Sequence, residues 1–204
     1  MKRIFAHRGY WYPNLVPNSL TAIQKAFEMG FSIETDIRDQ NRKVVISHDP
    51  VDAPEGVLSL QKLIASRADE NLILALNVKA DGLLSLIEEP IPSAFFFDMS
   101  APEARKFHSD NREIALRLSD LEPLVIPTQT PARWLWLDSF VHDWFIEAEL
   151  PDLSNFAGVV VVSPELHGRG KDDVWSWLSS RWSAFPNLCV CTDFPEEFAR
   201  FLEN

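Results

Sequence analysis

Residues 3–9 read RIFAHRG and residues 31–37 read FSIETDI, and a stretch with helical spacing separates these two apolar runs. In that stretch, Asn18 to Met29, apolar residues recur at the spacing of one helix face, and Gly30 ends the predicted helix. The order predicts a strand, a helix and a second strand. Two strands joined through a helix pair in parallel, and a parallel sheet is buried on both faces. The unit therefore indicates an α/β fold.

The same alternation continues to the end of the chain. Strands are predicted at Leu72 to Val78, Ala94 to Asp98, Glu113 to Leu118, Trp134 to Leu137, Gly158 to Ser163 and Leu188 to Thr192. Helices are predicted at Ser59 to Arg67, Pro102 to His108, Lys171 to Phe185 and Pro195 to Leu202, the last with Asp193 as its N-cap. Ser119 to Arg133 is rich in proline and shows no helical period, so we expect an irregular crossover there.

Eight strands in this pattern predict a compact (β/α)8 TIM barrel, with helices short enough for the length of the chain. Val44 to His48 follows the second strand after only a short polar link, so we expect a hairpin after strand 2. A doubly wound open sheet is the alternative. That fold has a glycine-rich first turn, whereas the bulky residues Trp11 and Tyr12 follow the first strand here.

Composition narrows the function classes. The chain has 204 residues, of which 46% are hydrophobic, and this favours one domain with a sizeable core. With 19 basic and 30 acidic residues the net charge is −11, which argues against nucleic acid or an anionic membrane surface as the partner. No apolar run approaches the ~20 residues of a membrane span. Met1-Lys2-Arg3 leads directly into the first strand, so we expect no signal peptide and a cytoplasmic protein.

The two cysteines lie in the last predicted strand. Cys189 and Cys191 are two residues apart, so strand geometry places both on one face without a convenient disulfide angle. We expect them to be reduced packing residues.

Three short clusters carry the chemistry. His7-Arg8-Gly9, Glu34-Thr35-Asp36 and His48-Asp49-Pro50 each stand at the end of a predicted strand. Histidines exchange protons near neutral pH, paired carboxylates hold divalent cations, and arginine matches a phosphate. Each cluster alone is commonly a strand end or a turn. Their order, each at a strand end, favours the functional interpretation, and the set suits phosphodiester cleavage.

Polar residues also follow most of the other strands, and barrel enzymes build their sites at this rim. An Asp at a strand end is as often a helix cap, and the turn-prone loop Ser163 to Gly170 is a surface turn or a substrate-binding loop. Trp11 forms an aromatic wall at the mouth or packs under its loop. The further rim candidates are Asn77, Lys79, Asp98, Arg117, Asp138, Glu165, His167 and Asp193, together with Trp11.

These motifs, with a later strand that ends Asn77-Val78-Lys79, resemble the glycerophosphodiester phosphodiesterase family. That family belongs to the wider superfamily of phosphatidylinositol-specific phospholipase C-like phosphodiesterases. The resemblance is clearest over residues 4–50, weaker at 76–79, and returns at 191–195. It implies a single TIM-barrel domain of this kind over residues 1–204.

The resemblance also implies roles. His7 and His48 would be the acid and base. Arg8 and Lys79 would hold phosphate oxygens. Glu34, Asp36 and Asn77 would bind one divalent cation, Mg²⁺ or Ca²⁺.

The chain departs from the family at two positions. Pro17 stands where the family has a glutamate, and Asn77 stands where it has an acid. The amide oxygen of Asn77 can still bind Mg²⁺ or Ca²⁺. Alternatively a rim acid (Asp98, Asp138 or Glu165) supplies the ligand, or Lys79 takes the place of the metal.

The expected function is metal-dependent cleavage of a small soluble phosphodiester, glycerophosphodiester-like, by two-histidine general acid-base catalysis. The expected partner is that small molecule, with neither nucleic acid nor membrane. One alternative is a degenerate relative that binds a phosphorylated ligand without turnover, and another is a cyclising phospholyase of the sphingomyelinase D type. Barrel metalloenzymes such as amidohydrolases need more histidine ligands than these clusters offer.

Overall fold

The computed structural model describes residues 2–52, 56–122 and 132–203. Strands and helices alternate through these residues, as the sequence predicts. The elements are β1 (Ile4–His7), α1 (Leu20–Glu28), β2 (Ser32–Gln40), β3 (Lys43–Ile46), α2 (Leu60–Ser66), β4 (Leu74–Val78), β5 (Ala94–Phe97), α3 (Ala101–Ser109), β6 (Ala115–Leu118), β7 (Trp134–Leu137), β8 (Gly158–Val162), α4 (Asp172–Trp182), β9 (Leu188–Thr192) and α5 (Pro195–Phe201).

The strands form a nearly closed parallel barrel in the order β5-β4-β2-β1-β9-β8-β7-β6. The ends of this order meet at a parallel bridge between Phe96 and Ile114, where the Phe96 amide donates to the carbonyl of Glu113 at 3.0 Å. β3 pairs antiparallel with β2, with Ile37 opposite Ile46. The predicted TIM barrel and its hairpin after strand 2 are therefore confirmed.

Two apolar layers hold the barrel together. One lies between the strands and the surrounding helices and contains most of the buried aliphatic residues. The other fills the inside of the barrel with alternate residues of the strands, because successive strand residues face opposite sides. In this inner layer Phe95 stacks on Trp134 with ring centroids 4.5 Å apart, and Phe97 stacks on Trp136 at 4.0 Å. These stacks join β5 to β7 through the interior.

Serine side chains begin the first helices. The Ser19 hydroxyl accepts from the Ala22 amide at 3.2 Å, and Ser59 caps α2 in the same way. The prediction that Asp193 caps α5 is wrong, since Phe194 occupies the cap position and no side chain bonds there. The reason is that the Asp193 carboxylate binds His7 instead.

Several crossovers are short or irregular, as the length of the chain predicts. A short 3-10 helix, Leu83–Leu86, lies between β4 and β5, and two more, Trp144–Ile146 and Leu153–Asn155, lie between β7 and β8. The crossover predicted over Ser119 to Arg133 falls largely outside the described residues, which omit 123–131.

Both cysteines are buried free thiols in the inner layer, which confirms that they are reduced packing residues. Burial raises the pKa of the Cys189 thiol to about 12 and raises that of Cys191 well above its usual value. Within the described ranges, every helix is too short or too polar to cross a bilayer.

Candidate active site

Four of the predicted site residues meet at one end of the barrel because of strand register. His7 of β1 lies opposite Glu34 of β2, and Asp36 lies opposite Asn77 of β4. Register partners on parallel strands project to the same side. Glu34 also lies opposite Ala75, a member of the inner layer, so this side is the interior. The four side chains therefore gather at the carboxyl end of the barrel, above the inner apolar layer.

The turn after β1 directs Arg8 toward this group. Arg8 and Gly9 both have left-handed backbone, with φ of 56° and 86°. The Arg8 amide donates to the carbonyl of Glu34 at 2.9 Å, which fixes the start of the turn. A side chain at Gly9 would put its Cβ 2.7 Å from the backbone of Ala22 in α1, so only glycine fits.

Asp36 lies at the centre of the polar contacts. Its carboxylate is 1% exposed and forms ion pairs with Arg8 Nε at 2.9 Å and Lys79 Nζ at 3.3 Å. The side-chain amide of Asn18 donates to it at 2.9 Å, while the Asn18 carbonyl accepts from the Thr35 hydroxyl at 2.7 Å. Both predicted phosphate-binding residues thus reach one buried carboxylate.

Sequence reasoning did not assign Asn18 to the site. Its backbone is left-handed, with φ of 61°, and its amide donates to the carbonyl of Arg8 at 2.8 Å. The available signal was its position between Pro17 and the N-cap Ser19, where an asparagine tolerates this backbone.

His7 is held between two carboxylates. Its Nδ1 donates to Asp193 at 2.7 Å, and its Nε2 lies 3.8 Å from Glu34 Oε2. Burial lowers the pKa of His7, but the bond to Asp193 and the charge of Glu34 outweigh burial, so the net pKa is raised. Burial and the neighbouring Asp36 raise the pKa of Glu34 to about 7. His7 therefore holds a proton more strongly than a free imidazole does.

Three oxygens in this group are buried without a hydrogen bond in the described structure. They are Glu34 Oε2, Asp36 Oδ1 and Asn77 Oδ1, one from each predicted metal ligand. Asp36 Oδ1 has the Lys79 ammonium 3.3 Å away, whereas a buried oxygen left without any partner is costly, and hard divalent cations bind such oxygens. Within the described ranges no three His, Cys, Asp or Glu side chains form a metal-type cluster, so a cation here would need the amide oxygen of Asn77 as a ligand. The donor set fits a divalent cation.

His48 lies apart from this group, on the loop after β3. Its side chain is 47% exposed, and its Nδ1 bonds to the neighbouring Asp49 at 2.9 Å. A cavity of about 540 Å³ is lined by His48, Arg8 and Asn18. The structure thus places His48 on a cavity that reaches the site through Arg8.

A second set of polar residues lines the far wall of the mouth. Arg117 of β6 pairs with Asp98 and lies 3.7 Å from Asp138, and His167 Nε2 donates to Asp138 at 2.8 Å. Burial raises the pKa of Asp98, although the charge of Arg117 opposes it. Neither Asp98 nor Asp138 caps a helix, since Ser100 caps α3 and Asp138 bonds the next amide.

The loop after β8 is not a plain surface turn. It forms a short 3-10 helix, Pro164–His167, that turns Glu165 inward. The Glu165 carboxylate accepts from the hydroxyls of Ser163 and Thr192, and from the Asp193 amide at 3.2 Å. These bonds occupy both oxygens of Glu165 and join the loop to β9, the strand that positions His7.

Aromatic side chains stand on the β1 and β9 side of the mouth. Trp11 meets Tyr12 edge to face, with ring centroids 6.0 Å apart, and Tyr12 meets Phe194 at 5.2 Å. Tyr12 is 52% exposed. These contacts join the loop after β1 to the start of α5, and Trp11 packs with its indole nitrogen buried.

No protein-family model and no curated protein matches the sequence. Among solved structures, the chain is similar to a phosphodiesterase of Oleispira antarctica in complex with the product sn-glycerol-3-phosphate. The two are 13% identical, the match covers 99% of this chain and 97% of that one, and the TM-score is 0.67. At this identity the likeness confirms the fold over the whole chain.

Proposed function

We propose that the barrel mouth cleaves a small phosphodiester, in the manner of the glycerophosphodiester phosphodiesterase family. The observation that carries the proposal is one buried carboxylate, Asp36, paired with both Arg8 and Lys79 beside buried oxygens of Glu34 and Asn77 that lack hydrogen bonds. Two cations suit a phosphate, and the oxygens suit a divalent ion. The product bound in the similar Oleispira antarctica structure, sn-glycerol-3-phosphate, is the kind of ligand this arrangement would take.

Arg8 and Lys79 would bind the phosphate. Both are partly exposed, at 29% and 23%, while Asp36 beneath them is buried. Asp36 thus holds the two cations at the mouth, where a phosphate oxygen can approach from the solvent side. Glu34, Asp36 and Asn77 would hold Mg²⁺ or Ca²⁺, which when bound would supply positive charge to a phosphate oxygen.

His7 would accept a proton from the attacking alcohol or water, or donate one to the alcohol that leaves. Asp193 fixes the ring through Nδ1, which leaves Nε2 directed toward Glu34 and the mouth. His48 would be the second proton carrier, reaching the phosphate from the cavity that it shares with Arg8. Each such group typically contributes ~10²–10⁴ in rate.

The test is phosphorus NMR of the protein with a panel of glycerol, sugar and nucleotide diesters, each with Mg²⁺, Ca²⁺, Mn²⁺ or a chelator. We expect cation-dependent turnover that falls about 10²-fold or more in His7→Asn and in His48→Asn. The matched control is His142→Asn, because His142 is 69% exposed and pairs with Asp120 outside the site. Its turnover should equal that of the unaltered protein.

Other outcomes would identify the alternatives. A cyclic phosphate product would indicate the cyclising reaction, in which a hydroxyl of the substrate attacks. Diester binding without turnover under every cation would indicate a binding protein. Absence of both binding and turnover across the panel would contradict the proposal.

A further inference from the structure

The seam between β5 and β6 opens into a cavity. The two strands meet at Phe96 and Ile114, and β5 ends at Phe97, after which Asp98 takes a left-handed φ of 63°. This backbone is unfavourable for a residue with a side chain. A cavity of about 530 Å³ lies at the seam, lined by Lys79, Asp98, Met99, Ala104, Leu116 and Arg117 among others.

The seam cavity and the cavity of His48 flank the same carboxylate. Lys79 lines the seam cavity and Arg8 lines the other, and both pair with Asp36. A phosphodiester carries two alcohol groups, one on each side of its phosphorus. A phosphate held by Arg8 and Lys79 would therefore direct one alcohol toward each cavity.

The charges that line the seam cavity limit the kinds of ligand that it can bind. Its lining includes two cations, Lys79 and Arg117, and two carboxylates, Asp98 and Glu122, so the net charge is near zero. Arg117 pairs with Oδ1 of Asp98, and among the described residues Oδ2 has no hydrogen-bond donor. An open carboxylate oxygen beside a guanidinium is suited to hydroxyl groups, which both donate and accept.

We propose, on the basis of the phosphodiesterase function above, that the seam cavity binds one alcohol of the diester and that this alcohol is a polyhydroxylated ring of hexose size. Hydroxyls bind Asp98 and Arg117, and the carbon face of the ring packs on Ala104 and Leu116. The volume of about 530 Å³ lies in the range of small-molecule sites and exceeds what a three-carbon alcohol fills.

The test compares two diesters with the same p-nitrophenol leaving group. One carries a hexose through its primary hydroxyl, and the other carries an ethyl group. We expect kcat/KM to favour the hexose diester by about tenfold or more. Asp98→Ala removes the acceptor for the hydroxyls of the hexose, and Ala104→Leu fills part of the seam cavity. Each change should reduce this preference severalfold. Arg105→Ala, an exposed neighbour on α3, should keep it.

The outcomes separate the two proposals. Turnover of both diesters without a preference would overturn the hexose inference and leave the phosphodiesterase function in place. Turnover of neither diester would contradict the phosphodiesterase function. Calorimetry then decides the hexose inference by comparing the binding of hexose 6-phosphate with that of ethyl phosphate. Tighter hexose 6-phosphate binding that Ala104→Leu removes would support it, and equal binding would overturn it. Melting temperatures identify any variant that fails to fold.

Discussion

Asp36 shows how single residues hold the mouth together. Its two oxygens meet Arg8, Lys79 and Asn18, and the first two remain partly exposed. Removing one partner of a buried charge costs more than the pair contributes, because the remaining charge is left without compensation. Residues that touch Asp36 therefore affect both stability and ligand binding, whereas a residue that only caps a helix affects stability alone.

Asn18→Ala should reduce both stability and activity. The change removes a donor to Asp36 and leaves the hydroxyl of Thr35, which is fully buried, without its acceptor. We expect a loss of about 1–3 kcal/mol in the free energy of unfolding, measured in urea. We also expect kcat/KM for a cleaved diester to fall about tenfold or more, since Asp36 loses its orientation.

The matched control is Ser59→Ala, which removes the N-cap of α2 away from Asp36. It should lower the free energy of unfolding by about 1 kcal/mol. Its kcat/KM should not change. If the two variants affected kcat/KM equally, Asn18 would be a structural residue without a part in the site.

Asn77→Asp should lower stability in the absence of a cation and strengthen the binding of a cation. A third carboxylate would lie opposite Asp36 in the register, buried beside Glu34. Without divalent ions we expect the free energy of unfolding to fall by about 2 kcal/mol or more. With Mg²⁺ or Ca²⁺ the added charge should tighten binding about tenfold. Melting curves across a cation titration, starting from chelator, measure both effects. Unchanged affinity would show that Asn77 is not a ligand.

At the scale of elements, the turn from β1 to α1 should depend on Gly9 for space as well as for backbone conformation. Gly9 and Gly82 have nearly equal φ, 86° and 91°, but a Cβ at Gly82 meets nothing within 4 Å. Gly82→Ala should cost about 1–2 kcal/mol for the left-handed backbone alone. Gly9→Ala adds overlap with the backbone of α1, a further ~1–3 kcal/mol. Urea unfolding of the two variants measures the difference between their free energies of unfolding. Equal losses of stability would show that a Cβ at Gly9 does not overlap with the backbone of α1.

A carboxylate that becomes protonated in acid joins the loop after β6 to the loop after β7. The Asp120 carboxylate accepts from the amides of Phe140, Val141 and His142 at 2.9, 2.7 and 3.3 Å. Its partial burial raises its pKa, but the three amide bonds outweigh burial, and the net pKa is lowered. The resulting stability is present above the unfolded pKa of ~3.9 and is lost as pH falls through the folded value.

Asp120→Asn should therefore be less stable than the unaltered protein at pH 7, by about 1 kcal/mol after allowance for solvent screening. The difference should shrink as the pH falls through the lowered pKa of the native carboxylate, which then becomes protonated. Urea unfolding at several pH values measures it. Asp39→Asn, at an exposed position of β2, is the control and should show no such change. A difference that persists in acid would assign the effect to the shape of the side chain.

At the scale of the whole molecule, the sequence was sufficient for the order of elements. The run predicted at Phe31 to Ile37 is β2, Ser32–Gln40, which continues because Arg38 to Gln40 pair with β3. Such extensions depend on a partner strand and are not visible in local composition. Continuous apolar runs were enough to identify the strands, because each strand is buried on both faces.

The site was predictable only in part. Motif residues such as His7 and Asp36 stand at strand ends, and the prediction of a barrel is enough to predict that these strand ends lie close together. Asp193 precedes a proline-started helix and locally resembles a cap, and only the closure of β9 against β1 brings it to His7. The open seam at Asp98 likewise depends on how the two ends of the sheet meet, which no local pattern records.

Closure of the barrel should depend on the space left by Gly158. A Cβ at Gly158 would lie 2.0 Å from the ring of Trp134, and that ring stacks on Phe95 of β5. Gly158→Ala must therefore displace the ring that joins β7 to β5 across the interior, at a cost of about 1–3 kcal/mol.

Since β5 meets β6 at the Phe96 bridge, the effect of Gly158→Ala should reach the seam. Hydrogen exchange of the Phe96 amide should become faster, and more so than that of the Ile33 amide between β2 and β4. Gly170→Ala, where a Cβ meets nothing, should leave both amides unchanged. Equal acceleration of both amides would mean a general loss of stability and would contradict a specific role of this ring in closing the barrel.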